Sequence, residues 1–184
     1  MRAVLAFALL ATAAGTLALS GCDDPLGLGD PILVRDTIFM GAPTSASTRP
    51  SAIDITDNNA PRRPELPVHA EVWDFQLRQT GNTLFLTPNP GRDSQRPAGI
   101  TTSSRDIEQV NDAPTSRSDY QESPIALTVG ATFLAHSRDA GSFSCVKYAK
   151  FKVLALDPAK GEADLVVVSN QTCGDDRLSG GDEG

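Results

Sequence analysis

The alternation of apolar and polar residues predicts β-strands, and the pattern is clearest near the middle of the chain. Over 68–79 the side chains divide between the two faces of an extended strand. The apolar face carries Trp73, Phe75 and Leu77, and the polar face carries Asp74, Gln76 and Arg78. A turn signal at 80–82 precedes a second apolar run at 83–87. Residues 70–87 are therefore predicted to form a β-hairpin.

Weaker strand patterns precede this hairpin, and a short helix pattern follows it. A strand is predicted at 32–40, which contains the apolar runs 32–34 and 38–40, and another at 51–56, where apolar and polar residues alternate. The three prolines of 57–67 are typical of an extended surface loop. Farther along, Ser104 or Asp106 is placed to cap one short helix.

The C-terminal part predicts a three-stranded meander. Its strands cover 125–136, 145–156 and 163–169, with a turn at 157–161 between the last two. Gly130 is expected to form a bulge or a bend in the first of them. Taken together, the patterns predict an all-β fold, a mostly antiparallel sheet or sandwich with at most one short helix.

Two cysteines flank the last hairpin. The midpoint of Cys145 and Cys173 is residue 159, at the centre of the predicted turn. Residues that oppose each other in an antiparallel pair share such a midpoint, and their Cα atoms lie about 5–6 Å apart, as a disulfide requires. We therefore predict a Cys145–Cys173 disulfide, with two free thiols as the alternative.

The N-terminal segment has the pattern of an export signal. Residues 3–20 carry no charge and are mostly apolar, and they follow Arg2. The run ends in Leu-Ser-Gly-Cys at Cys22, an aliphatic residue and two small residues before a cysteine. That box is typical of lipoprotein processing, in which the thiol of Cys22 receives diacylglycerol. An ordinary secretory signal with an incidental cysteine is the alternative.

This interpretation fixes the predicted organisation of the chain. Residues 1–21 are the lipoprotein signal peptide, 22–30 a lipidated tether rich in Gly, Pro and Asp, and 31–173 a single β domain. Residues 174–184 are expected to be a disordered acidic tail. The protein is then predicted to be anchored to a membrane through its lipid, on the extracytoplasmic (periplasmic or surface) side of the cell envelope.

Charge narrows the classes of partner. The net charge is −7, and removal of the signal peptide with Arg2 makes it −8. An acidic chain without a cluster of Lys and Arg argues against binding to nucleic acid.

Four stretches of the chain resemble one known family. They are 51–55 with 72–77, the small-residue segment 98–100, 106–110 leading to Ala113 and Pro114, and 133–139 with 147–153 and the turn at Gly161. In these stretches and their order the chain resembles the HmuY-like lipoproteins, anchored or secreted all-β proteins that include haem-binding members. The resemblance implies an all-β fold and haem as a possible ligand. The disulfide and the short chain depart from the family pattern.

Haem binding would require axial ligands from a small set of residues. Haem iron is held by His, Met, Cys or Tyr, so the candidates are His69, His136 and Met40, with Tyr120 and Tyr148 as further possibilities. A locally hydrogen-bonded imidazole is the competing interpretation for each histidine. For Met40 the competing interpretation is a place in the core.

Catalytic and metal-binding patterns are not found. The chain has no Gly-x-Ser-x-Gly elbow and no Gly-rich phosphate loop with Lys, so no enzyme activity is predicted. The acidic residues after Cys173 lack the spacing of a calcium loop, and no metal site is predicted. Trp73 suits either the core or a ligand-stacking platform. Two functions are left: a ligand-binding envelope protein, with haem as the family-implied ligand, and a structural or interaction lipoprotein that contacts another envelope protein.

Overall fold

A computed structural model describes residues 29–92, 95–139 and 145–180 of the 184-residue chain. Within these ranges ten strands form two five-stranded antiparallel sheets. The strands are β1 (Leu33–Gly41), β2 (Ala52–Asp54), β3 (Ala60–Arg62), β4 (Phe75–Thr80), β5 (Thr83–Pro88), β6 (Gly99–Ser103), β7 (Ile125–Ala126), β8 (Thr132–His136), β9 (Tyr148–Asp157) and β10 (Glu162–Asn170). The first sheet has the order β1-β10-β9-β8-β6, and the second has the order β3-β2-β4-β5-β7.

The two sheets pack face to face around one apolar core, so the predicted all-β fold is confirmed as a sandwich. Phe151 from the first sheet meets Phe75 from the second edge to face, with ring centroids 5.4 Å apart. Other inward residues of both sheets fill the layer around this pair, including Ile38, Leu165, Ile53 and Leu86.

The central hairpin forms as predicted, but its first strand begins later. β4 and β5 are joined by Gly81 and Asn82, and Gly81 has a φ of +58°, which glycine adopts without strain. The predicted start at residue 68 is wrong. Pro67–His69 form a 3-10 turn instead, because Pro67 suits the first position of a helical turn and the apolar alternation begins only at Trp73.

The predicted strand over 125–136 is divided between the two sheets. Its first part is β7, which pairs with β5 in the second sheet, and its last part is β8, which pairs with β9 in the first. Gly130, with a φ of +84°, lies between them and allows the bend. β8, β9 and β10 form the predicted C-terminal meander.

The register of β9 and β10 explains the disulfide. Leu165 to Ser169 pair with Val153 to Ala149 about the midpoint residue 159, beyond a bulge at Asp164 and Leu165. Cys145 and Cys173 continue this register and are joined, with their Cα atoms 5.4 Å apart. The predicted disulfide is confirmed.

Two other predictions from the pattern need correction or refinement. The proline-rich segment 57–67 contains β3, because Pro61 lies on an edge strand, where its missing N–H costs no ladder bond. The predicted short helix is the 3-10 turn Ile107–Gln109, capped by Asp106. A further 3-10 turn, Arg117–Asp119, was not predicted.

The expected disordered tail is wrong for residues 174–180. Leu178 is 1% exposed and joins Val110, Ala113 and Tyr120 in a second apolar cluster on the outer face of the first sheet. The outward side chains of β8 and β9 are apolar there and require cover, which explains why the segment after Cys173 is ordered.

Other parts of the predicted organisation are not described. Residues 1–28, with Cys22 and most of the predicted tether, and residues 181–184 lie outside the described residues. Among the helices of the described ranges, none is long and apolar enough to cross a bilayer.

Candidate functional site

Met40, one of the predicted haem ligands, is a core residue. Its side chain is 0% exposed and packs among the inward residues of both sheets. Its sulfur atom could contact a ligand only if the sandwich opened. The competing interpretation, a place in the core, is the one that the structure shows.

His136 is also enclosed. Its Nδ1 lies 2.9 Å from the carbonyl oxygen of Ser137, and its ring packs edge to face on Tyr120 with centroids 4.6 Å apart. Nε2 lies so close to β6 that a Cβ added at Gly99 would be 2.4 Å from it. Burial lowers the pKa of His136, although the bond to Ser137 opposes that shift. Nδ1 is therefore bonded within the protein, and β6 packs closely against Nε2.

This burial predicts a pH dependence of stability. Because its pKa is lowered in the folded state, His136 binds a proton more weakly there than in the unfolded chain. Its contribution to stability is therefore present at high pH and is lost as the pH falls below the unfolded pKa, near 6.5. We therefore expect a change from pH 8 to pH 5 to act less favourably on the free energy of unfolding of the wild type than on that of His136→Gln.

Urea unfolding at several pH values measures this slope. His69→Gln is the matched control, because it replaces the other histidine of the chain, at a half-buried position. Equal slopes in the wild type and His136→Gln would contradict the assignment.

The candidate ligands do not meet. Met40 pairs through β10 with Leu156 on β9, whereas His136 pairs with Tyr148. Leu156 and Tyr148 are eight residues apart along β9, about 26 Å at the usual rise of a strand. His69 lies in the 3-10 turn, and its Nδ1 accepts a hydrogen bond from the backbone N–H of Arg63 at 3.2 Å.

The side chains of the remaining candidates are also hydrogen-bonded or buried within the protein. The hydroxyl of Tyr120 donates to the carbonyl of Pro114 at 2.6 Å, and Tyr148 is buried in the outer cluster. Trp73 is buried, and its indole N–H donates to Ala70. The residues present do not fit a haem site. Across the described ranges, no group of three or more His, Cys, Asp or Glu could hold a metal ion.

A buried charge network, which the sequence patterns did not predict, joins the two sheets. Asp74, directly before β4, accepts from the guanidinium of Arg138 at 2.8 Å and from its backbone N–H at 2.9 Å. The other carboxylate oxygen of Asp74 accepts from the N–H of Ile55 at 2.9 Å. Asp54, at the end of β2, lies 3.4 Å from the same guanidinium. Arg138 follows β8, so one cation connects the first sheet to two carboxylates of the second.

The electrostatics of the network follow from its burial. Asp74 is fully buried, and desolvation raises its pKa to about 7, against the attraction of Arg138. Desolvation also acts on Asp54, but bonds from Thr56 and Arg138 outweigh it and hold the pKa of Asp54 below its usual value. A network closed to solvent cannot contact a substrate. Its contacts link the two sheets.

The strands give the sandwich two distinct ends. The proximal end carries the first residues of β1 and β9, the last residue of β10 and the disulfide. The distal end carries the β9–β10 turn and the β4–β5 turn, which are connected because the amide of Gln79 donates to the carbonyl of Pro158 at 2.6 Å.

A group of loops forms the surface of the distal end. We define this distal loop cluster as residues 42–50 together with 158–162. Ala42 donates to Gly161 at 2.8 Å and Gly41 to Pro50 at 3.0 Å, which fixes both ends of the first loop. Within it the hydroxyls of Ser45 and Ser47 each accept a backbone N–H two residues farther on. The loop is therefore held in shape by its own side chains.

Close packing in the cluster depends on one glycine. Gly161 has a φ of +67°, and a Cβ there would lie 2.7 Å from both Gln79 and Ser45. A side chain at this position would therefore clash with both loops, and the positive φ favours glycine.

Arg49 occupies the centre of the cluster's charged part. It bonds Asp164 at 2.7 Å and Glu162 at 3.3 Å, and its guanidinium lies 5.5 Å from the centroid of Phe39. Beside it is an open cleft of about 450 Å³. The cleft is lined by Thr44, Ser45, Ala46, Ser47, Gln79, Ala159, Lys160 and Glu162. Hydroxyl, amide and charged groups in such a cleft suit hydrogen bonding to a polar or polypeptide surface.

No protein-family model, curated protein or solved structure matches this chain. The resemblance to the HmuY-like lipoproteins therefore stays a prediction.

Proposed function

We propose that this protein is a lipid-anchored protein of the bacterial cell envelope whose β-sandwich binds a partner protein through its distal loop cluster. The observation that carries the proposal is that the described chain begins at one end of the sandwich and the distal loop cluster lies at the other. The described chain begins at the proximal end, where Arg177 donates to the carbonyl of Gly29 and Thr172 bonds the N–H of Ile32. The distal loop cluster lies at the other end of the same strands.

The predicted anchor then sets the orientation of the cluster. Cys22 precedes Gly29 by seven residues, which span at most about 25 Å. A lipid on Cys22 would hold the proximal end close to the membrane. β1 has nine residues and adds about 26 Å between the two ends. The distal loop cluster would thus be presented away from the membrane.

The chemistry of the distal end favours a protein as the partner. Phe39 is 51% exposed and lies beside Arg49, and Leu154 is exposed on β9. Aromatic and arginine side chains are enriched in protein interfaces, where they contribute much of the binding energy. The net charge argues against nucleic acid, as noted from the sequence.

Haem binding, which the family resemblance implies, is not supported by the positions of the candidate ligands. We expect haemin added to residues 23–184 to keep the spectrum of free haemin, since Met40 and His136 are enclosed. Visible absorbance at increasing haemin checks this. A sharpened Soret band at one equivalent, lost in His69→Ala, would contradict it.

Crosslinking in intact cells tests the partner. A photoreactive phenylalanine analogue in place of Lys160, which is 70% exposed in the distal loop cluster, should form an adduct with a second protein. The same analogue in place of Ser118 is the control, because Ser118 is exposed near Tyr120 at the proximal side of the domain. Adducts of equal yield at both positions, or none at Lys160, would overturn the proposal.

A further inference from the structure

β1 is an open edge of the first sheet. Gln171 donates to Ile32 and Ala42 donates to Gly161, so the even-numbered residues of β1 exchange their backbone bonds with β10. The odd-numbered residues therefore turn their N–H and C=O groups away from β10. Gly41 donates to Pro50. For Leu33, Arg35, Thr37 and Phe39, no backbone partner on this side lies within the described part of the chain.

The other sheet edges are short or closed. β3 has three residues and contains Pro61, and β7 has two residues. β6 is already bridged, because Ile100 and Gln121 exchange bonds at 3.0 and 2.9 Å. β1, with nine residues, is thus the longest unpaired edge among the strands described here. Long exposed edges are templates for an added strand.

We propose that the partner protein contributes an extended segment that pairs with the open edge of β1 as an added antiparallel strand. The proposal rests on the proposed function and names the kind of contact by which the partner binds. Strand addition needs only backbone groups on the recipient, which β1 offers at every second residue.

The position of β1 connects this edge to the distal loop cluster. Phe39 is the last of the open residues, and its ring lies beneath Arg49. A strand along β1 would run past Phe39 and reach the loops at 42–50. Aromatic and β-branched residues form favourable cross-strand pairs, so we expect such a residue opposite Phe39 in the partner segment.

A second copy of this chain fits the edge less well. Antiparallel pairing of β1 with another β1 reverses one domain, so the two predicted tethers would leave from opposite ends of the joined sheet. Both distal loop clusters could then not face away from one membrane. A segment of a different protein carries no such constraint.

Hydrogen exchange of the β1 amides tests the contact directly. In the purified full-length protein, Arg35, Thr37 and Phe39 should exchange faster than Asp36 and Ile38. In intact envelopes we expect exchange at Arg35, Thr37 and Phe39 to slow by at least about tenfold. Unchanged exchange in the envelope would overturn the proposal, as would slow exchange already in the purified chain, which would show that the chain covers its own edge.

A proline variant supplies the second test. Thr37→Pro removes an outward N–H and leaves the bonds to β10, as edge strands tolerate. Thr37→Ala keeps the N–H and is the matched control. With the photoreactive analogue at Phe39, the adduct should be lost in Thr37→Pro and kept in Thr37→Ala.

The outcomes separate the two proposals. Strand addition alone would be overturned if the adduct forms at Lys160, Thr37→Pro leaves the Phe39 adduct unchanged, and the β1 amides still exchange rapidly in the envelope. If no adduct forms at position 160 in the otherwise unchanged protein, the proposed function is overturned. An adduct at Phe39 with twice the mass of this chain would identify a second copy and overturn the inference.

Discussion

Replacement of Arg138 by leucine is expected to lower the free energy of unfolding by about 3–5 kcal/mol, the usual cost of removing one partner from a buried ion pair. Arg138 is the one cation within bonding distance of Asp74 among the described residues, and Asp74 is fully buried. Without the guanidinium, the sandwich must hold the uncompensated carboxylate of Asp74 between its sheets. Urea unfolding at pH 7.5 measures the loss.

The control is an exposed ion pair of similar geometry. Arg35 and Glu108 contact each other with both side chains more than half exposed, so Arg35→Leu should cost less than about 1 kcal/mol. Equal losses of unfolding free energy in the two variants would show that the Arg138 network stabilises the sandwich no more than an exposed ion pair does.

The same network predicts how the Arg138→Leu loss depends on pH. Burial raises the pKa of Asp74 to about 7, and Arg138 opposes that rise. A raised carboxyl pKa means that the folded state binds the proton more tightly than the unfolded state, so the contribution of Asp74 to stability is greatest at low pH and is lost as the pH rises towards 7. Removal of Arg138 raises the pKa further. The Arg138→Leu loss should therefore be smaller at pH 5 than at pH 7.5.

Replacement of Phe151 by alanine is expected to cost about 3–5 kcal/mol, because it leaves a cavity between the sheets. Phe151 is fully buried and packs against Phe75 from the opposite sheet. Phe39→Ala is the matched control, since Phe39 lies in the same sheet but is 51% exposed. We expect it to change stability by no more than about 0.5 kcal/mol.

Thermal or urea unfolding of both variants checks this pair. A Phe39→Ala loss as large as that of Phe151→Ala would mean that the outer face of β1 is covered within the isolated domain.

Much of the fold could be predicted from local patterns, because strand alternation, turns and cysteine spacing are properties of short segments. The 70–87 hairpin, the C-terminal meander and the disulfide all depend on residues close in sequence. Division of the 125–136 segment between two sheets could not be predicted, since it depends on where β5 and β9 lie in space. Gly130 indicated a bend, but it did not indicate that the chain passes there from one sheet to the other.

Burial of polar residues was the main failure of the patterns. Asp74 falls on the polar face of its strand, yet it is buried, because Arg138 and the backbone of Ile55 supply the partners that a buried carboxylate needs. Order in residues 174–180 was missed for a related reason. Leu178 is a single apolar residue in an acidic segment, and only the outer face of the first sheet gives it a place to pack.

The candidate site was predicted least well. Residues 42–50 have the composition of an ordinary loop, and their shape comes from bonds among Ser45, Ser47 and the backbone and from the close approach of Gly161. The open edge of β1 depends on strand order, which no local pattern determines. The predicted haem ligands were chosen by residue type alone, and the fold places Met40 and His136 at opposite ends of one sheet.

The most direct test of the central claim, an anchored sandwich with its distal loop cluster facing outward, is the intact mass of the protein extracted from the membranes of the cells that make it. We predict a chain that begins at Cys22 and carries the added mass of a diacylglycerol group on that residue. A chain that keeps residues 1–21, or one that is cleaved but carries no lipid, would contradict the account.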